Sequence, residues 1–247
     1  EQTTNLRQPS YLKVPPLRGK TDKLKVLVAA PFFSVKAYCV NDWGKVLQQF
    51  DHPNYDIFLV DTSEDPNFYK LVVDYNKLEF PVETQPWLDT TRKRQTLAYN
   101  RIRDYFLAGD YDYLFTCESD VFPPKDVITR LLEHNKDIIG GVYYIGYDNQ
   151  KRPCVTSGDH TINGSSWVDE FLPTHMMNGE IVRIGGGCGF GACLIKRNVL
   201  ERIKFRYDVL HADTYFHEDC KRLGYTTWVD TSIVCRHYPS VETYKDF

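Results

Sequence analysis

Unbroken apolar runs, not alternating ones, set the pattern of the first half of the chain. "LKVLVAAPFF" (24–33), "YDIFLVD" (55–61), residues 112–117 and "DIIGGVYYI" (137–145) read as strands buried on both faces, and "LEFPVE" (78–83) is a further candidate. Between them the spacing turns helical. Tyr38 to Phe50 suits a helix, and Thr90 to Ala108 predicts a long one that Gly109 stops. Ala98, Ile102, Tyr105 and Phe106 share one side of it, while Arg92, Arg94, Arg101 and Arg103 fall mostly elsewhere. A third helix is expected from about Pro124 to His134, with Pro124 in its first position. Strand–helix alternation of this kind implies an α/β fold: a mainly parallel sheet with helices on both faces.

Past Pro153 the regularity weakens. Residues 157–180 are polar and loop-like, followed by "IVRIGGGCGFGACLIKR" (181–197), helices near 197–203 and 213–223, and "TTWVDTSIVCRHY" (226–238). Residues 1–23, with Pro9, Pro15 and Pro16, read as an extended arm. The expected organisation is that arm and one domain over 24–247, in two halves, 24–150 and 151–247. No repeat is visible.

Composition narrows the classes. At 247 residues the chain holds one sizeable domain. A net charge of −3 gives no global attraction to nucleic acid or to an anionic membrane, so any polyanion must be met by a local patch. The longest apolar run, "VLVAAPFF" (26–33), is too short to span a bilayer. Seven cysteines form no CxxC pair and several sit in apolar runs, the pattern of buried free thiols in a reducing compartment. The cytoplasm is therefore the default expectation, although the chain opens on Glu1 rather than Met, which leaves a removed leader or anchor open.

Chemistry gathers at strand ends. In "YLFTCESDVFPP" (113–124) a buried strand runs into Glu118, Ser119 and Asp120. The carboxyl edge of an open α/β sheet is where ligands bind, and carboxylates there suit Mg2+ or Mn2+ facing a diphosphate. A surface turn with an Asp cap is the plain alternative. Asp61 ends another strand and suits either a nucleoside contact or an ordinary turn before Pro66. The basic stretch "TRKRQTLAYNRIR" (91–103) offers Arg92 and Arg94 to phosphates near a helix start, or only an exposed face. "GGGCGFG" (185–191) lacks the Lys-Ser/Thr of a phosphate loop, so its glycines suit a close-fitting substrate wall or a tight turn. Glu218-Asp219 offers a general base or two solvated acids, and His237 a metal ligand or a structural histidine.

In this order the pieces resemble a GT-A-fold (Rossmann-like) nucleotide-sugar glycosyltransferase, most like the inverting family 2 type, over about residues 24–238. The resemblance rests on the first strand, "VDTSED", the basic helix, "YLFTCESDVFPP" at the family's Asp-x-Asp position, "GGGCGFGACLIKR", "HEDCKRLGY" and the histidine after the last long strand. It implies that Asp120 and His237, with Glu118, hold Mn2+ or Mg2+. It implies Asp219, beside Glu218, as the base. Ala29, Pro31 and Asp61 would line the nucleoside pocket, and Asn100, Arg92 or Arg101, Glu118 and Ser119 would meet the donor. Gly187, Cys188, Gly189 and Phe190 would form the acceptor side. Two departures stand out: Glu118 replaces the usual first Asp, and Tyr99-Asn100 replaces an Arg-Asn pair.

The implied reaction transfers a sugar from a nucleoside-diphosphate sugar to an acceptor hydroxyl with inversion. UDP-sugars are the favoured donors and GDP-sugars the second choice. Nucleic acid enters only as a modified-base acceptor, for which nothing in the sequence speaks. A sugar-nucleotide nucleotidyltransferase would need a glycine-rich loop after the first strand, and "AAPFFS" is not one. A non-catalytic nucleotide-sugar-binding module is the alternative from another class.

Overall fold

A computed structural model describes residues 21–76, 81–146, 151–156 and 171–244. One eight-stranded sheet organises them. Its first strands are β1 (Val26–Phe32), β2 (Tyr55–Asp61), β3 (Val82–Thr84) and β4 (Tyr113–Thr116). With β6 (Ile138–Val142), β9 (Ile181–Ile184), β10 (Cys193–Lys196) and β11 (Thr227–Val234) they stand in the order β3-β2-β1-β4-β10-β6-β11-β9. Strand β10 runs antiparallel to both its neighbours and β9 to β11, while the remaining pairs are parallel. The mainly parallel α/β sheet is as the apolar runs imply.

Every residue of β1 is buried, because helices cover both faces. Val26, Val28 and Ala30 point into one apolar layer with Trp43, Leu47, Leu131 and Leu132. Leu27 and Ala29 point into the other with Ile102, Phe106, Leu200 and Phe216. Helices α1 (Val40–Leu47), α2 (Phe68–Asn76) and α4 (Val127–Glu133) serve the first layer. Helices α3 (Thr91–Ala108), α5 (Arg197–Arg202) and α6 (Ala212–Arg222) serve the second. Pro31 sits without strain in a central strand because β4 pairs β1 only from Val26 to Ala29.

Several boundaries differ from expectation. Helix α2 was not predicted, although Phe68 and Val72 bury one face at a spacing of four. Pro124 is not at a helix start: a turn closed by Val127 N–H on the Pro124 carbonyl precedes α4, whose N-cap is Asp126. The "LEFPVE" strand is seen only as β3, and residues 78–80 lie outside the described residues. So do residues 1–20 of the proposed arm, whereas Thr21–Lys23 form a 3-10 turn with Thr21 buried. Most of the 157–180 loop also lies outside them. All seven cysteines are free thiols, six of them buried. Among the described residues no helix is long and apolar enough to cross a membrane.

Two small ribbons finish the carboxyl edge of the sheet. Strand β5 (Val121–Phe122) pairs with β12 (Arg236–His237), and β7 (Tyr144–Ile145) with β8 (Arg152–Pro153). The described residues end on α7 (Val241–Tyr244).

Candidate functional site

Because β1, β2 and β4 are parallel and adjacent, Phe32, Asp61 and Thr116 end on one edge. Beyond them lies a cavity of about 420 Å³, walled by Pro31, Phe33, Lys36, Glu118, Ser119, Asp120 and the first turns of α3 at Thr91, Arg94 and Gln95. The acidic turn is held from below by α1: Trp43 Nε1 donates to the Cys117 carbonyl at 3.2 Å, and the Cys39 thiol to the Ser119 carbonyl at 3.3 Å. Residues of opposite ends of the chain meet because β12 pairs with β5, setting Val121 against His237. Tyr238 N–H then donates to the Asp120 carbonyl at 2.9 Å.

His237 Nε2 lies 3.4 Å from Asp120 Oδ2. Its Nδ1 is 2.8 Å from the Tyr144 carbonyl oxygen, which can only accept, so Nδ1 carries a proton. Nε2 therefore faces a carboxylate oxygen, and only a second proton or a cation between them makes that contact favourable. A histidine fixed through Nδ1 on a backbone carbonyl is the usual outer support of a metal-ligating imidazole. Asp120 and His237 would be the side chains to hold a cation here. Among the described residues no group of three His, Cys, Asp or Glu side chains gathers, so no more than two would do so. That count suits Mg2+ or Mn2+ completed by water and phosphate oxygens. The residues fit the ion.

Burial alone would raise the Asp120 carboxyl, but the His237 bond and the Lys36 ammonium, 2.6 Å away, hold it below the ordinary range. Glu118 behaves oppositely: burial first, then the charges of Asp120 and Asp213, push it up to about 8. Both acids stand on the wall of the same cavity.

A second, smaller cavity of about 150 Å³ lies among Gly187, Cys188, Gly189, Asp213, Thr214 and His217. Its glycines are required by contact. A Cβ on Gly187 would stand 2.4 Å from the His217 ring, and one on Gly189 only 1.9 Å from Tyr143 Oη. His217 Nε2 in turn meets the Cys188 carbonyl at 2.7 Å. Tyr143 packs against both Gly189 and Gly191.

The structure brings Pro31, Glu118, Ser119, Asp120 and His237 together, and Gly187, Cys188 and Gly189 beside them. Other expected residues stand elsewhere. Ala29 and Phe190 are buried in the core, Phe190 among Tyr99, Phe205 and Phe216. Asp61 does end β2 at the cavity's edge, but it is buried there, its Oδ1 accepting from Ser63 N–H at 2.9 Å. Arg92 is exposed, and the wall is formed by Arg94, whose guanidinium lies over the Phe33 and Trp87 rings at 4.8 and 4.2 Å. Asn100 is spent on Phe205, donating to its carbonyl at 2.9 Å and accepting its N–H at 3.0 Å. Arg101 holds Glu83 through two bonds.

Glu218 and Asp219 do not reach either cavity wall. Arg206 binds Asp219 at 2.7 and 3.0 Å and lies 3.6 Å from Glu218, and Arg222 also holds Asp219. Both guanidiniums keep the Asp219 carboxyl below the ordinary range against the opposing effect of burial. The α6 acid on the wall of the second cavity is Asp213, in the first turn of the helix. Lys36 and Asp213 are charged residues on these walls that the sequence reading did not single out.

No protein-family model matches this chain, and no curated protein matches it. Solved structures do. A197 from STIV is similar over 88% of this chain and 87% of its own, at 16% identity and a TM-score of 0.51. The mannosyltransferase PcManGT from Pyrobaculum calidifontis, solved in complex with GDP-Man and Mn2+, is similar over 94% of this chain at 13% identity and a TM-score of 0.59. This chain spans 60% of that protein's length. Likeness at such identities is one of fold, and it agrees with the strand order above: the chain has the GT-A, Rossmann-like α/β fold.

Proposed function

We propose that the protein is a glycosyltransferase that moves a sugar from a nucleoside-diphosphate sugar to an acceptor hydroxyl, with inversion and with a divalent cation in the site. The observation that carries this reading is the Asp120–His237 pair, its imidazole fixed through Nδ1, at the floor of a cavity ending the first strands of a GT-A sheet. The solved neighbour holds GDP-Man and Mn2+, which makes GDP-sugars the first donors to test here, ahead of UDP-sugars.

Asp120 and His237 would hold the cation, which when bound supplies positive charge to the departing diphosphate. The start of α3, with Thr91 and Arg94 on the cavity wall, turns its N-terminal dipole toward the same anion. On the wall of the second cavity, Asp213 replaces Asp219 as the proposed base. The acceptor O–H bond breaks as its proton passes to the Asp213 carboxylate. The oxygen bonds to the anomeric carbon on the face opposite the diphosphate, and the anomeric C–O bond breaks with its electron pair leaving on phosphate. The glycine wall lets the acceptor approach closely.

Calorimetry of GDP and UDP with Mn2+ tests this reading, repeated on His237→Ala. One of the two nucleotides should bind the wild type, and the variant should lose about 10–100-fold in Mn2+ affinity. Absence of nucleoside diphosphate binding in millimolar Mn2+ overturns it.

A further inference from the structure

Lys36 stands in the donor cavity, and the reaction above gives it no part. Its ammonium lies 2.6 Å from Asp120 Oδ2, 2.9 Å from the Pro239 carbonyl and 3.4 Å from Tyr38 Oη. The short turn that carries it is fastened at its base, where Ser34 N–H donates to Ser63 Oγ at 2.9 Å. The oxygen it holds is the same one that His237 Nε2 faces at 3.4 Å. One carboxylate oxygen is therefore claimed twice, once by a fixed monocation and once by the pair that fits a divalent ion.

We infer that Lys36 is a placeholder cation, which keeps Asp120 Oδ2 compensated when no divalent ion is bound and passes to the diphosphate when it releases that oxygen to one. This rests on the cleft being a nucleoside-diphosphate site. An ammonium and a dication on one oxygen repel each other, so metal alone binds against resistance. A diphosphate removes the resistance by giving the ammonium a second anion on the same wall. Lysine suits the exchange: its charge rides on a flexible stem, and its other two partners here are neutral oxygens. Metal and nucleotide should then bind cooperatively, each tightening the other by the same factor. Lys36 also gives the cleft one positive charge for a nucleotide arriving without metal.

The test measures Mn2+ binding by the electron-paramagnetic signal of the free ion and nucleotide binding by calorimetry, with GDP and UDP as probes. In wild type, Mn2+ alone should bind weakly and tighten about tenfold or more with nucleotide. Lys36→Met should bind Mn2+ alone about tenfold more tightly and lose most of that coupling. Its nucleotide affinity in EDTA should fall about 10–100-fold, the range of one charge-assisted hydrogen bond. Lys36→Arg should restore the wild-type pattern, and Lys36→Gln serves as the neutral variant if the methionine form melts early. Unchanged Mn2+ affinity and coupling in both neutral variants overturn the placeholder role. A wild type that binds neither nucleotide with Mn2+ overturns the reading of the cleft itself, and with it this inference.

Discussion

Replacing Asp213 and Asp219 in turn by asparagine separates chemistry from structure on one helix. Asp219 accepts two bonds from Arg206, at 2.7 and 3.0 Å, and a further one from Arg222. Its side chain is only 17% exposed, but the guanidiniums are 41% and 68% exposed, so solvent screens much of the attraction. After that discount the loss in Asp219→Asn is about 1 kcal/mol, or about 2–4 °C in melting temperature for a chain of this size. The carboxyl's folded pKa lies below its unfolded one. Its contribution is therefore complete above the unfolded value of about 4 and is lost as pH falls through the folded value. The melting difference between wild type and Asp219→Asn should thus be present at pH 7 and shrink below about pH 4. Transfer by this variant should stay within a few-fold of wild type. Asp213→Asn should do the reverse: nucleotide affinity and melting temperature hold while transfer falls about 10²–10⁴-fold. The assay pairs thermal melts across pH with product formation from GDP-mannose or a UDP-sugar. Abolished transfer in Asp219→Asn at an unchanged melting temperature, with normal transfer in Asp213→Asn, refutes the reasoning.

Gly189→Ala should destabilise the protein by about 1–3 kcal/mol, because its Cβ would fall 1.9 Å from Tyr143 Oη and 2.8 Å from Cys154 Sγ in a packed wall. A melting temperature equal to that of wild type would show that Tyr143 yields freely. Alkylation of native protein without reductant, followed by mass spectrometry, should leave six of the seven cysteines slow to react until the protein is unfolded, when all seven react. A native disulfide contradicts that picture.

The sheet was legible because strands buried on both faces leave long apolar runs that few other structures produce. Strand ends were legible for the same reason: Glu118 and Asp120 interrupt an apolar run abruptly, and His237 closes another. Position on a helix was harder. Glu218-Asp219 drew attention as an acidic pair, yet Arg206, thirteen residues earlier, claims both. Asp213 drew no attention, since a first-turn acid is favoured by the helix dipole regardless of function. The buried stripe of Ala212, Phe216 and Cys220 was the available signal, since it sets Asp213 one step from the face packed on the sheet. Asn100 and Arg101 were offered to the donor by the family resemblance. Only the fold reveals that the segment at Phe205 and the strand at Glu83 occupy them. Lys36 left no trace at all: a single lysine in a short turn acquires meaning only when β5 and β12 bring Asp120 to it.

These placements also account for the acids at the end of a buried strand. Two ionised carboxylates side by side in a half-closed cleft would repel each other, and the structure avoids that by treating them differently. Glu118 is pushed up to about 8 by burial first and by its acidic neighbours second. Asp120 is held below the ordinary range by His237 and Lys36 against burial. The Asp120 carboxylate is thus matched directly by the Lys36 ammonium, with Arg94 a further cation on the same wall. The addition of a dication and a diphosphate together changes the charge of the cleft far less than either alone. On this argument the acidic turn is compatible with a stable sheet edge because its charge is compensated from within the chain, and the same compensation favours joint rather than separate arrival of metal and nucleotide.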